Sequence, residues 1–242
     1  MDRAARQIAL KQIGTAGQAR IAEATVLIIG LGGIGCAAAS YLTCAGAGQI
    51  LLCDFDTVDA TNLGRQTLYG PIDIGEFKAV RAASRLAAMN PDVRLTEIPE
   101  RLSDTAMAEA IDQADVVLDG SDNFSTRFQV NAAAVSQRTQ LVSGAAIRFE
   151  GQVSVFGPDY STSPCYRCLY KEADETLEDC SGNGVLGPVP GVVGSMMAVE
   201  ALKCLSGIEV RPGRVNLYDA LASEWRTINV RKSRTCPTCR HS

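Results

Sequence analysis

The stretch Ala24-Thr25-Val26-Leu27-Ile28-Ile29-Gly30-Leu31-Gly32-Gly33-Ile34-Gly35 decides the fold. Its first half is a β-branched apolar run without polar alternation. That is the pattern of a strand buried on both faces of a parallel sheet. Its second half matches G-x-G-x-x-G. Glycines at this spacing let the chain turn tightly and let its backbone approach a phosphate. The helix that follows aims its free N–H groups at the same place. Gly33 to Ala45 reads as that helix, and Gln49 to Asp54 as the next strand. The strand ends in a carboxylate 24 residues after Gly30, where an acid can hold ribose hydroxyls. Gly30, Gly32, Gly33, Gly35 and Asp54 are therefore nucleotide-site candidates. Glycine used only for helix–strand packing is the competing reading, and the ordered strand, helix and acid weigh against it.

Working outward, Thr25 to Cys53 carries no charged residue over 29 positions, which alone would suit a membrane span. Glycines 30, 32, 33, 35, 46 and 48 break it into strand, helix and strand, so the membrane reading is rejected. One or two polar helices precede it in residues 1–20. Downstream, a long polar connection fills 55–75. Helices are expected over Glu76 to Asn90, up to Gln113, and over Phe124 to Gln137. Strands are expected at Val93 to Ile98, Ala114 to Asp119 and Gln140 to Ile147. This alternation argues a parallel sheet with right-handed crossovers. After about residue 148 the pattern changes. Gln152 to Phe156 suits an antiparallel strand, 157–189 is loop-rich, and Gly191 to Leu205 is an apolar helix ended by Gly207. Val215 to Tyr218 and Glu224 to Val230 read as a hairpin.

The expected fold is thus α/β: a Rossmann-like, mainly parallel sheet with helices on both faces, extended by an antiparallel C-terminal part. Residues 1–23 form a helical segment, 24–148 the nucleotide-binding region, and 149–242 a substrate platform of the same domain.

Composition narrows the function. Hydrophobic residues make up 46% of the chain, charged residues 21%, and the net charge is −4. An acidic chain is a poor partner for nucleic acid or an anionic membrane. With no apolar leader at the N-terminus, a cytoplasmic location is expected. The single histidine, His241, lies one residue from the end. Chemistry within the fold must therefore run without an imidazole base.

Polar residues gather where the strands end. The connection carries Thr61-Asn62-Leu63-Gly64-Arg65-Gln66, Lys78 opens the next helix, and Asp122-Asn123 follow the fourth strand. Two cations, amides and a carboxylate converging at strand ends suit a triphosphate with Mg²⁺. Arg65 and Lys78 would neutralise phosphates while Asp122 holds the metal. A nicotinamide oxidoreductase would need neither cation.

These residues resemble the E1-like ThiF/MoeB/HesA superfamily, bacterial relatives of ubiquitin-activating enzyme. The likeness rests on Gly30–Gly35, Asp54-Phe55-Asp56, Asn62-Leu63-Gly64-Arg65-Gln66 and Asp119-Gly120-Ser121-Asp122-Asn123, and runs from Arg6-Gln7 to Cys239. The resemblance implies an adenylyltransferase that uses ATP and Mg²⁺ to activate the Gly-Gly carboxyl terminus of a ubiquitin-like sulfur-carrier protein, releasing pyrophosphate. It implies that Gly33, Asp54, Asp56, Thr61, Asn62, Arg65, Gln66, Lys78, Asp122 and Asn123 line the ATP site. It also implies a homodimer in which Arg6 reaches the neighbouring subunit's site, and a sulfur donor such as a cysteine desulfurase. Two departures touch local loop shape: Phe77 stands where proline often precedes the lysine, and Gly120 where cysteine is common. Leu141 to Phe156 looks like the molybdopterin branch and residues 200–225 like the thiamine branch; the balance tips to thiamine. Related adenylation of a small molecule or tRNA adduct, and a non-catalytic scaffold, are the competing classes. A scaffold has no use for the polar set.

Nine cysteines without a secretion signal argue against disulfides. Cys165-x-x-Cys168 and Cys236-x-x-Cys239 are two knuckles with 67 residues between them. They can meet as one closed, structural Zn²⁺ site that pins the C-terminal tail. Cys36, Cys44, Cys53 and Cys204 read as core thiols. Cys180, flanked by Glu178, Asp179, Ser181 and Asn183, reads as a solvent-reached thiol. The family often places a cysteine there on a crossover loop; the resemblance implies a role in sulfur transfer, and a spare loop residue is the competing reading.

Overall fold

The computed structural model describes residues 3–171 and 184–240. Eight strands form one sheet: β1 (Thr25–Ile29), β2 (Gln49–Cys53), β3 (Arg94–Ile98), β4 (Val116–Asp119), β5 (Gln140–Ile147), β6 (Glu150–Phe156), β7 (Arg214–Asp219) and β8 (Glu224–Asn229). Their order is β3-β2-β1-β4-β5-β6-β7-β8. The first five are parallel, as the buried apolar runs predict. β6, β7 and β8 then add antiparallel, so the C-terminal hairpin extends the same sheet. β1 and β4 sit centrally and are almost wholly buried, whereas β8 is exposed along its whole length.

Two apolar layers cover the faces. One holds α3 (Gly33–Ala45), α4 (Lys78–Met89) and a long helix over Pro188–Ser206. The other holds α5 (Asp104–Asp112), α6 (Phe124–Gln137) and α7 (Tyr166–Leu169). The long helix, here α8, starts three residues before the expected Gly191, with Pro188 and Pro190 in its first turn. Proline is tolerated there because those N–H groups lack helical partners anyway. α8 is long and apolar enough to cross a membrane by length and composition, yet 56% of its apolar window is buried. It packs on α3 so closely that a Cβ at Gly194 would lie 2.1 Å from the Ile34 carbonyl oxygen. Thr25 to Cys53 resolves into β1, α3 and β2. At the N-terminus, α2 (Gly14–Glu23) lies over α8, where Arg20 donates to the Ser206 carbonyl, and α1 (Ala5–Ile8) packs on α2.

The connection over 55–75 is more ordered than its composition suggests. It contains 3-10 turns at Ala60–Asn62 and Pro71–Asp73. Asp73 is closed off from solvent. It accepts from the Gly70 N–H at 2.8 Å, Arg81 Nε at 2.6 Å and Arg85 Nη2 at 3.4 Å. Burial pushes its pKa up, but these donors outweigh it and hold the carboxyl below the usual range. A depressed folded pKa contributes stability above the unfolded value of about 3.9, which is lost as pH falls through the folded value. Asp73→Asn should cost about 1 kcal/mol at neutral pH, since both arginines are partly solvated. It should also flatten the acid limb of the stability curve below about pH 4. Urea titrations over a pH series check both.

Candidate active site and four-cysteine cluster

The sheet order reverses between β1 and β4, so their carboxyl ends open a crevice. A cavity of about 610 Å³ occupies it, within the range of ligand sites. The glycine loop is its floor. Gly30 has φ +83°, and a Cβ there would lie 2.9 Å from the Gly120 carbonyl oxygen. Gly32 and Gly33 line the cavity; Gly35 does not. A Cβ at Gly35 would sit 1.9 Å from the Gly30 carbonyl oxygen. Gly35 therefore lets the first turn of α3 close tightly on the loop.

Asp54 fixes the loop from the side. Its Oδ2 accepts from the Leu31 N–H at 2.7 Å and its Oδ1 from the Asp56 N–H at 2.9 Å. Burial pushes its pKa up, while Lys78 and these two N–H groups oppose the rise. The carboxylate still faces the cavity with spare lone pairs.

Lys78 is the first residue of α4 and is buried, with Nζ 3.0 Å from Asp56 Oδ2. A helix N-terminus disfavours a cation, so stability alone does not explain lysine there. Its partner Asp56 is half exposed, so an incoming phosphate can compete for the ammonium. Phe77, in the place of the common proline, holds φ −61°. That is the angle proline imposes, so the loop shape survives the departure. Gly120, the other departure, sits tight against Ile34.

Arg65 and Gln66 also line the cavity. Arg65 Nη1 donates to the Thr61 carbonyl at 3.0 Å. Gln66 is buried, and among the described residues its Oε1 has no hydrogen-bond partner, so it is a polar atom able to take a ligand. Asn62 lines the cavity while its Oδ1 accepts from the Asp59 N–H at 3.2 Å. Thr61 does not line it: its hydroxyl donates to Asp59 Oδ1 at 2.6 Å, capping the 3-10 turn. Thr61 thus helps to shape the turn that carries Asn62 and Arg65 to the cavity.

On the opposite wall, Asp122 is exposed at the cavity and Asn123 caps α6 through the Thr126 N–H at 2.8 Å. Arg6 is exposed on α1 and does not line the cavity of its own chain. Cys180 and His241 fall outside the described residues.

Sequence reading missed Arg127 and the far wall. Arg127 is buried against the cavity. Gln152 and Tyr170 join it, bonded at 2.9 Å, and Arg101 stacks over Phe55 at 4.1 Å. Arg127 carries a local signal: it stands four residues after the cap Asn123, so it lies on the same helix face. Gln152 and Tyr170 reach the cavity only through tertiary packing.

The four knuckle cysteines converge on the side of the sheet that carries α6 and α7. Their sulfurs all lie within 4.8 Å of one another, with Cys165–Cys236 at 3.7 Å and Cys168–Cys239 at 3.5 Å. Zn–S bonds of about 2.3 Å in a tetrahedron put sulfurs roughly 3.8 Å apart, so the set fits one Zn²⁺. Hydrogen bonding from Cys165 pulls the Cys168 thiol down, while burial pushes Cys239 up. Crowded thiols of this kind cannot all ionise without a cation.

The fold and crevice define a doubly wound α/β domain with a ligand-sized cavity, lined by cations, at its switch point. The ThiF family profile matches residues 4–238, and the chain belongs to that family. It is 44% identical over 237 residues to the sulfur carrier protein ThiS adenylyltransferase of Escherichia coli, covering 98% of this chain and 94% of that protein. It is 42% identical over 235 residues to the molybdopterin-synthase adenylyltransferase of Salmonella typhimurium, covering 97% and 94%. A crystal structure of Escherichia coli MccB with succinimide superposes with a TM-score of 0.85 at 21% identity, covering 99% of this chain and 74% of that one.

Proposed function

We propose that the protein is an ATP-dependent adenylyltransferase acting on the C-terminal carboxylate of a ubiquitin-like sulfur-carrier protein. The observation that carries this reading is Lys78, buried at a helix N-terminus beside the glycine loop, in a chain whose relatives at above 40% identity are named carrier adenylyltransferases. One carboxylate oxygen of the carrier attacks the α-phosphorus of ATP, the bond to the bridging oxygen breaks, and pyrophosphate leaves. The nucleophile arrives ionised, so no general base is needed. Asp54 would hold the ribose, and Gln66 and the glycine loop the phosphates. Arg65 and Lys78 would take the developing charge. Mg²⁺ would be held by Asp122 and would neutralise the leaving pyrophosphate.

Residues 149–242 then serve as the carrier platform and the four cysteines as a structural Zn²⁺ clasp. Reduced thiols of that kind suit the cytoplasm. The carrier belongs to the thiamine or molybdopterin branch, with the thiamine carrier favoured. Cys180 and a separate sulfur donor would act after adenylation.

Exchange of labelled pyrophosphate into ATP, measured with each candidate carrier, tests the reading. The same assay tests a shared homodimer site, in which Arg6 acts across the interface. Arg6→Ala and Asp122→Ala should each be inactive alone. Mixed with subunit exchange, they should recover about a quarter of wild-type activity, because half the dimers are mixed and hold one intact site of two. No recovery despite demonstrated exchange would refute the sharing.

A further inference from the structure

The four-cysteine cluster and the cavity are joined by a continuous chain of contacts. Cys165 caps α7 and Cys168 lies within it, so anything that clasps these sulfurs orients the helix. α7 is tied to α6 twice. The Tyr166 N–H donates to Asn131 Oδ1 at 2.8 Å, and Arg127 Nη1 donates to the Tyr166 hydroxyl at 3.3 Å. The Tyr166 ring is gripped by Phe128, Phe156 and Tyr170, with centroids 5.0 to 6.1 Å away. The hydroxyl is therefore presented in one place.

Arg127 carries the link onward. Its Nη2 and Nε donate to the Ser121 carbonyl at 2.6 and 3.2 Å, and Nη2 also reaches the Gly144 carbonyl of β5 at 3.3 Å. From below, Asp119 Oδ1 accepts the Ser121 N–H at 3.0 Å and its hydroxyl at 2.7 Å. Ser121 is thus held at both its N–H and its carbonyl. Because the peptide unit is planar, fixing the Ser121 carbonyl fixes the plane that leads into Asp122. A planar guanidinium can hold one carbonyl with two donors while reaching two other partners; an ammonium lacks that fork.

We propose that Arg127 is a positioning residue for the adenylation site, and that through the Tyr166 hydroxyl it transmits the order of the four-cysteine clasp to the Ser121–Asp122 loop. Arg127 acts through the loop it fixes, not on the nucleotide. The inference rests on the nucleotide reading above. It assigns the metal site a second consequence: the clasp that pins the C-terminal tail also sets the affinity of the cavity.

The test measures ATP binding by calorimetry together with amide exchange at residues 121–123, on metal-replete protein. Arg127→Lys should weaken ATP binding about tenfold, as loss of hydrogen bonds to a charged donor predicts, and should speed exchange in the loop while metal content stays at one equivalent. Tyr166→Phe keeps the ring and removes only the hydroxyl. It should weaken ATP binding by about threefold and leave the melting temperature nearly unchanged. Removing metal should weaken ATP binding in the wild type but add little in Tyr166→Phe, where the link is already cut; such non-additivity marks coupling. Where demetallation unfolds the chain, Tyr166→Phe with metal retained decides alone. Wild-type affinity and exchange in both variants would overturn the inference. So would a metal-removal effect of equal size in wild type and Tyr166→Phe. A wild type that binds no ATP would instead overturn the nucleotide reading, and the inference with it.

Discussion

Carrier-dependent pyrophosphate exchange should fall by about 10²–10³-fold in Asp122→Ala, the range found when a group that meets transition-state charge is removed. The position makes the result interpretable. Asp122 is exposed, and its side chain's one hydrogen bond among the described residues, from Asn123 Nδ2 at 3.3 Å, is weak. Its loop is fixed by Asp119, Asn123 and Arg127, none of which changes. Truncation should therefore shift stability by no more than about 0.5 kcal/mol, and a melting curve will verify this. The loss then belongs to chemistry. Asp122→Asn separates charge from shape: it keeps a side chain of the same size but removes the anion. It should recover little, because a cation beside two phosphates needs charge more than a carbonyl oxygen. Full exchange in Asp122→Ala would end the assignment of this wall to the metal. If Lys78→Ala also retained full exchange, adenylation in this cavity would fail with it.

Much of that site was legible because its physics is local. Ala24 to Gly35 needs two faces of burial, a tight turn and a helix start, and each requirement writes itself into adjacent residues. Asp54 was readable for the same reason: it ends the strand that pairs with β1. Lys78 and Asp122 were found as polar residues at strand or helix ends. Other features were hidden because tertiary contacts decide them. The Thr61 hydroxyl turns to Asp59 two residues away, a contact of the 3-10 turn that the sequence does not announce. Gly35 belongs to the motif, and its close approach to the Gly30 carbonyl shows only in the packed loop. Residues 55–75 looked like plain connection, while Asp73 and its two arginines organise them. The start of α8 was misplaced because Pro188 and Pro190 read as loop until their place in a first turn is known. Gln152 and Tyr170 meet only when β6 and the knuckle helix pack, and no spacing rule brings those two residues together.

The four-cysteine cluster carries the second large effect, on stability. Protein purified without chelator should hold about one equivalent of zinc, as a closed tetrathiolate site requires. Cys239→Ser should lower that occupancy and lower the melting temperature by about 8–16 °C. The estimate follows from chain entropy. The ion would cross-link the knuckles over the 67 residues between Cys168 and Cys236. Closing a loop of that size stabilises the folded state by about 4 kcal/mol. For a chain of this length each kcal/mol moves the midpoint by about 2–4 °C. The loss should stay below the 10–16 kcal/mol of zinc-dependent peptides, because this fold has two apolar layers of its own. The tail should show the change first: Ser233, whose N–H donates to Cys168 Sγ at 3.4 Å, should gain amide exchange before any residue of β1 or β4. Cys204→Ser is the control, since its thiol lies on α8 away from the cluster and its loss should leave metal content unchanged. A protein that carries no metal when purified this way would remove the clasp. Cys239→Ser would then melt within about 2 °C of wild type, as loss of a single buried thiol predicts.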